Sequence, residues 1–231
     1  MSNENTPRNF EKEVVDQEMI FASLNFQTAP NSVVFVTGFP EGAGEYAGEK
    51  KIYSLMKKIV DSGAGFLQLY MGKKIAKIKK NSENLQKALK LTKEKKNVTL
   101  VLFSAGALSI KNIEIPDNIK RIVFVSPVIG KEIIRHKKKW KEEIEVQVMI
   151  LLFSIPKIKR YFESIEPLVQ RAKEKNIEVE VILTDKDGLL KQKETENAFK
   201  EYFGIKAQIL KGDHAPELDD LGKVICPSNR E

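Results

Sequence analysis

The chain of 231 residues contains 1 cysteine, Cys226. A lone thiol cannot close an intramolecular disulfide and offers no metal-ligand spacing, so neither device is expected to organise this fold. Long apolar runs are also missing. The longest, Val146 to Ile155, falls well short of the roughly 20 residues a helix needs to cross a bilayer. The N-terminal SNENTPRNFEKE lacks the basic-then-apolar layout of a secretory signal. No internal repeat, low-complexity tract or interdomain linker interrupts the sequence. These absences predict a soluble, cytoplasmic protein without a membrane span. It is expected to form a single domain over residues 10–231 after a disordered stretch, 1–9.

What is present is enough for a sizeable core, since 42% of the residues are hydrophobic. Lys and Arg number 39 against 32 Asp and Glu, a formal charge of +7. The excess is mostly lysine, in doublets such as Lys50-Lys51, Lys57-Lys58 and Lys79-Lys80. Such doublets beside glutamates read as solvated helical faces. No basic stripe interleaved with aromatics accompanies them, so no specific nucleic-acid partner is expected.

Strong apolar runs of β-formers recur along the chain: Ser32 to Thr37, Gly65 to Tyr70, Val98 to Phe103, Arg121 to Val125 and Glu178 to Thr184. Lys206 to Leu210 is a last strand, and Phe10 to Thr28 holds two shorter strand-like runs. Runs apolar at nearly every position fit a sheet covered on both faces. Helical spacing fills the intervals, at about Tyr46 to Asp61, Asn81 to Lys95, Lys157 to Lys175 and Thr195 to Phe203. In the second of these, Asn81-Ser82 is expected to cap the start, with Leu85, Ala88, Leu89 and Leu91-Thr92 facing inward. Strands alternating with helices predict an α/β fold with a mostly parallel sheet in a three-layer αβα sandwich. Gly130 to Glu145 is charged and predicted helical, outside the core. Trp140 and Val146 to Ile155 either roof a pocket, as a small cap at about 130–156, or belong to the core.

Candidate chemistry lies at the carboxyl ends of the strands, where open α/β sheets place ligands. These ends carry Thr37-Gly38-Phe39, Ser104, Ser126, Asp185, Asp187 and Asp213-His214. Ser104 stands in VTLVLFSAGAL, on a small-residue turn beyond a buried strand. A nucleophilic serine needs a histidine to take its proton, a carboxylate to orient that histidine and two N–H groups for the oxyanion. His214 follows the last strand, whereas His136 sits among charges in RHKKKWKEE and reads as solvated.

The order serine, acid, histidine resembles the α/β-hydrolase fold family. The residues that carry the resemblance are VVFVTGFP at 33–40, LFSAG at 102–106, LTDKDGLL at 183–190 and LKGDHAPEL at 210–218. The resemblance implies Ser104 as nucleophile, His214 as base and Asp187 as acid, with Asp185 in reserve. The N–H groups of Phe39 and Ala105 would form the oxyanion hole. It further implies a serine hydrolase acting on a small-molecule acyl substrate (an ester, thioester or amide), with no cofactor and no metal. Leu102 stands where the G-x-S-x-G motif has its first glycine, and is expected to crowd the turn at Ser104. The same fold with a non-working site, serving as a binding protein, is a second reading.

A weaker resemblance is to short-chain dehydrogenases. Thr37 to Gly44 matches their TGxxxGxG turn, FSAG at 103–106 stands where they have NNAG, and FSIPK at 153–157 is similar to YxxxK with Phe153 in place of the tyrosine. That resemblance implies a degenerate NAD(P)-binding protein.

Overall fold

The computed structural model describes residues 10–16, 19–37, 49–71, 78–111, 113–134 and 156–226. Eight strands form one sheet: β1 (Phe10–Asp16), β2 (Met19–Leu24), β3 (Asn31–Val36), β4 (Gly65–Met71), β5 (Asn97–Phe103), β6 (Ile119–Val125), β7 (Glu178–Thr184) and β8 (Gln208–Leu210). Their spatial order is β1-β2-β4-β3-β5-β6-β7-β8. The pairs β1–β2 and β2–β4 are antiparallel, and every pairing from β4 through β8 is parallel.

Side-chain alternation divides the core between two faces of this sheet. Val34, Val36, Leu100, Leu102, Ile122 and Phe124 enter one cluster. It is roofed by α2 (Ile78–Leu91), α3 (Ile158–Glu174) and α4 (Gln192–Phe203), through side chains such as Leu85, Leu89, Phe162 and Phe199. Val33, Phe35, Val101, Phe103, Val123 and Val125 enter the other. There α1 (Glu49–Asp61) and α5 (Leu218–Ile225) close the layer with Leu55, Ile59, Leu221 and Ile225. Strands apolar on both sides therefore have a helical layer on both sides, which completes the three-layer sandwich.

Three expectations need correction. Helix α2 begins at Ile78 rather than Asn81, and Leu91 is 51% exposed. At 100° per residue Leu85, Ala88, Leu89 and Thr92 share a face, while Leu91 is turned about 200° from Leu89. Residues 130–134 are not a solvated helix. Gly130 is extended, Lys131–Ile133 makes a single 3-10 turn, and Ile133 and Ile134 are buried. Ile134 bridges to Leu190, which ties this segment into the core beside β7. Helix α5 had no counterpart in the sequence reading. The disordered stretch expected at 1–9 and most of the expected cap, 135–155, lie outside the described residues.

The chain leaves β5 through a 3-10 turn, Ser104–Ile110, every residue of which is buried. It comes close to the sheet at Gly106, where a Cβ would lie 2.6 Å from the Val36 carbonyl oxygen. Tyr161 of α3 donates a 2.9 Å hydrogen bond to the Ala107 carbonyl, and complete burial raises its phenol pKa. A methyl group at position 106 would have to push backbone apart. Gly106→Ala is expected to destabilise the fold by about 2 kcal/mol through overpacking. Calorimetry would read this as a melting temperature lowered by roughly 4–8 °C for a domain of this size.

Candidate active site

The strand order turns back at β3, with β4 on one side and β5 on the other. Such a switch point opens a crevice beyond the strand ends, and Ser104 is the first residue beyond β5. Ser104 has φ +53°, a left-handed conformation that costs a non-glycine residue about 1–3 kcal/mol. The sharp turn keeps its side chain at the strand end rather than along the sheet.

Leu102 does not prevent this turn. It lies in register with Val36 and Phe124 and is fully buried in the cluster beneath α2. The tight approach to β3 is made at Gly106 instead, so the leucine side chain meets apolar neighbours and not the turn. On β6 the chain makes a similar move, with Ser126 at φ +42° immediately past Val125. The Ser126 N–H donates to the Ile182 carbonyl at 2.8 Å, and the Val128 N–H donates to the Ser104 carbonyl at 3.0 Å. The loop after β6 thus braces the turn after β5.

His214 comes to Ser104 from the far side of the sheet, out of the loop between β8 and α5. Its Nε2 is 2.8 Å from Ser104 Oγ, and its Nδ1 is 2.9 Å from Asp187 Oδ2. A carboxylate can only accept, so Nδ1 carries the ring proton and Nε2 accepts from the Ser104 hydroxyl. The imidazole also rests against the Phe103 ring, at 5.6 Å between centroids.

Asp187 is held as firmly as the histidine. Its side chain is 3% exposed. Oδ1 accepts from the Leu189 N–H at 2.8 Å and the Leu190 N–H at 2.9 Å, which leaves Oδ2 for the histidine. Asp185 lies elsewhere in the turn, where its Oδ1 accepts from the Gly212 N–H at 3.0 Å. Of the two candidate acids, Asp187 is the one that meets His214. Ala105 is buried in the first turn of the 3-10 segment, where N–H groups have no partner within the helix. Phe39 and His136 lie outside the described residues. Among the described residues, no group of three or more His, Cys, Asp or Glu is placed to hold a metal ion. Among the same residues, no helix is long and apolar enough to cross a membrane.

The sheet order also decides between the two family resemblances. A dinucleotide-binding sheet of the 3-2-1-4-5-6 kind places its third strand beyond the second. Here the third parallel strand, β5, returns to the other flank of the first, β3. The dehydrogenase resemblance is therefore local, confined to short glycine and serine motifs that the topology does not follow. The parts of its motifs at 38–44 and 153 lie outside the described residues.

Solved structures share this arrangement over nearly the whole chain. The Pyrococcus furiosus esterase Pf2001 superposes with a TM-score of 0.59 at 16% identity, covering 93% of this chain and 91% of that one. Est1E from Butyrivibrio proteoclasticus gives 0.58 at 14% identity, over 94% and 95% of the two chains. XC6422 from Xanthomonas campestris, an α/β serine hydrolase without a lid, gives 0.57 at 12% identity over 95% and 93%. The protein has the α/β-hydrolase fold. No protein-family model and no curated protein sequence matches the chain, so the likeness rests on the course of the backbone. Within this fold the lengths that separate Ser104, Asp187 and His214 in sequence are closed by β5, β7 and β8 lying on one side of the switch point. Tyr161 and Gly212 are parts of the site's support that sequence reading missed. Tyr161 stands at no motif, Gly212 lies within LKGDHAPEL with nothing to mark its role, and both act through contacts formed only after folding.

Proposed function

We propose that the protein is a serine hydrolase that cleaves an ester, thioester or amide of modest size through an acyl-enzyme on Ser104. The observation that carries this reading is the chain of hydrogen bonds from Ser104 Oγ to His214 Nε2 at 2.8 Å and from His214 Nδ1 to Asp187 Oδ2 at 2.9 Å. In the first half-reaction the hydroxyl proton passes to Nε2 as Oγ bonds to the substrate carbonyl carbon. Negative charge moves to the carbonyl oxygen, where the N–H groups of Ala105 and Phe39 are assigned to receive it. The proton on Nε2 then goes to the leaving alcohol, thiol or amine as its bond to carbon breaks. Water, deprotonated by the same nitrogen, releases the acid and restores the serine. Asp187 keeps the imidazole in the required tautomer and stabilises it while charged.

Incubation with a fluorophosphonate probe is expected to label the protein covalently at Ser104, with no labelling of Ser104→Ala. Mass spectrometry of the tryptic peptide would locate the adduct. A folded wild-type protein that remains unlabelled would instead favour the binding-protein reading.

A further inference from the structure

His214 belongs to no regular element. It lies four residues beyond β8, itself an edge strand of 3 residues. An edge so short is a weak platform for a side chain whose position must be held to a fraction of an ångström. The loop compensates by closing on itself, with the Glu217 N–H donating to the Lys211 carbonyl at 3.0 Å and Gly212 bridging to Pro216. At Gly212 φ is +140°, and a Cβ there would sit 2.4 Å from the Ala215 carbonyl oxygen. Glycine is thus what allows the loop to close.

The closed loop is fastened to the turn after β7 at the same glycine. The Lys186 N–H donates to the Gly212 carbonyl at 3.1 Å, and Asp185 Oδ1 accepts from the Gly212 N–H at 3.0 Å. Just before it, the Asp185 N–H donates to the Leu210 carbonyl at 3.0 Å. Two of these three ties are main chain to main chain. The only side chain among them is that of Asp185. In the sequence Asp185-Lys186-Asp187, the first carboxylate holds the loop backbone two residues before His214 and the second holds the imidazole itself.

We propose that Asp185 is a positioning residue, which sets the approach of His214 Nε2 to Ser104 Oγ by accepting the Gly212 N–H. The proposal rests on the serine-hydrolase reading above for its kinetic consequence, but not for its structural one. What Asp185 supplies is an acceptor in the right place, and its charge is secondary. Asparagine presents a carbonyl oxygen at the same distance along the side chain and satisfies the same donor. Alanine leaves the Gly212 N–H without its partner and frees one side of the loop.

The test uses the full-length protein with p-nitrophenyl acetate as the probe ester. Asp185→Ala is expected to lower kcat about tenfold or more, with KM little changed, because a shift of an ångström or less in a catalytic group is costly to the chemical step. Asp185→Asn is expected to stay within about twofold of wild type, since its amide oxygen accepts the same bond. A second readout does not depend on turnover. With His136→Gln as background, His214 is the only imidazole, and its hydrogen-bonded Nδ1 proton can be followed by NMR. That resonance is expected to persist in Asp185→Asn and to broaden or move upfield in Asp185→Ala. An alanine variant with wild-type kcat and an unchanged resonance would overturn the proposal. So would an asparagine variant as impaired as alanine while circular dichroism shows both folded. If wild type neither turns over the ester nor takes the fluorophosphonate, the hydrolase reading fails, and the resonance still decides whether Asp185 positions His214.

Discussion

Asp187→Asn is expected to lower kcat by about 10⁴ with the fold intact, as when the acid of a serine triad becomes an amide. The reason is one of proton placement. The amide oxygen can still accept from the Leu189 and Leu190 N–H groups, which hold Oδ1 at 2.8 and 2.9 Å. The amide nitrogen then faces His214 Nδ1 and can only donate, so the ring must carry its proton on Nε2. An imidazole protonated there donates toward Ser104 Oγ and cannot take the serine proton. KM for a p-nitrophenyl ester is expected to change little, and the melting temperature should stay near wild type. Stopped-flow or steady-state release of p-nitrophenol measures the first, and calorimetry the second. An Asp187→Asn enzyme retaining a tenth or more of wild-type kcat would show that this acid is not the partner the histidine uses.

The largest effect on stability is expected far from the strand ends. Arg121, on β6, has a side chain that is 8% exposed. Its Nε and one terminal nitrogen donate to the two oxygens of Glu180, both at 2.6 Å, and the other terminal nitrogen donates to the Val224 carbonyl at 2.7 Å. The guanidinium joins β6 to β7 and both strands to the last turn of α5. Arg121→Ala leaves a partly buried carboxylate and a helix carbonyl without this donor. Breaking a buried pair from one side costs about 3 kcal/mol or somewhat more, or roughly 6–12 °C in melting temperature for a domain of this length. Arg121→Lys is expected to recover only part, since an ammonium cannot make the two-pronged contact. Replacing Arg121 together with its partly buried partner, Arg121→Met with Glu180→Leu, should recover more than Arg121→Ala alone, because the carboxylate that remains nearby, Glu178 at 3.6 Å, is 50% exposed. Arg121 and Ser126 lie five residues apart along one strand direction, roughly 16 Å at the usual rise. The kcat of the folded fraction is therefore expected to hold while the denaturation midpoint falls. Equilibrium unfolding in urea together with kcat on active-site-titrated protein separates the two.

The sheet was legible because its strands are apolar on both faces, and a run such as SVVFVT or VTLVLF has few other uses in a chain with this much lysine. The chain order of Ser104, Asp187 and His214 was legible too, since strand-end polar residues stand out against such runs. The family resemblance favours Asp187 over Asp185 as the partner of the histidine, but residue type alone does not separate them. Asp185 and Asp187 differ only in the direction a tight turn gives their side chains, and that direction is fixed by the Gly212 and Leu189-Leu190 N–H groups. Leu102 was misjudged for a related reason. A motif compares residue types in line, whereas crowding is decided in space, where Gly106 takes the contact and Leu102 packs with Val36 and Phe124. Residues 130–134 were obscured by the lysines and glutamates after them, although Ile133 and Ile134 are apolar enough to be core. Helix α5 was missed because it has 8 residues and a glycine within them. Gly222 fits there because Lys58 and Leu55 of α1 pack against that spot. The left-handed Ser126 gave no sign at all, since serine does not announce a positive φ.

The contact between Gly106 and Val36 has a consequence for how such a protein can change over time. The last residue of β3 leads into Thr37, and the backbone after Ser104 lies directly against that residue of β3. The spacing between the serine turn and the end of β3 is thus a main-chain dimension, as are the Val128 to Ser104 and Lys186 to Gly212 hydrogen bonds. Other side chains around these struts can change without altering the spacings, provided glycine stays at positions 106 and 212. Spacings set by the main chain do not depend on which side chains surround them, which accords with the same backbone course in solved structures at 12–16% identity.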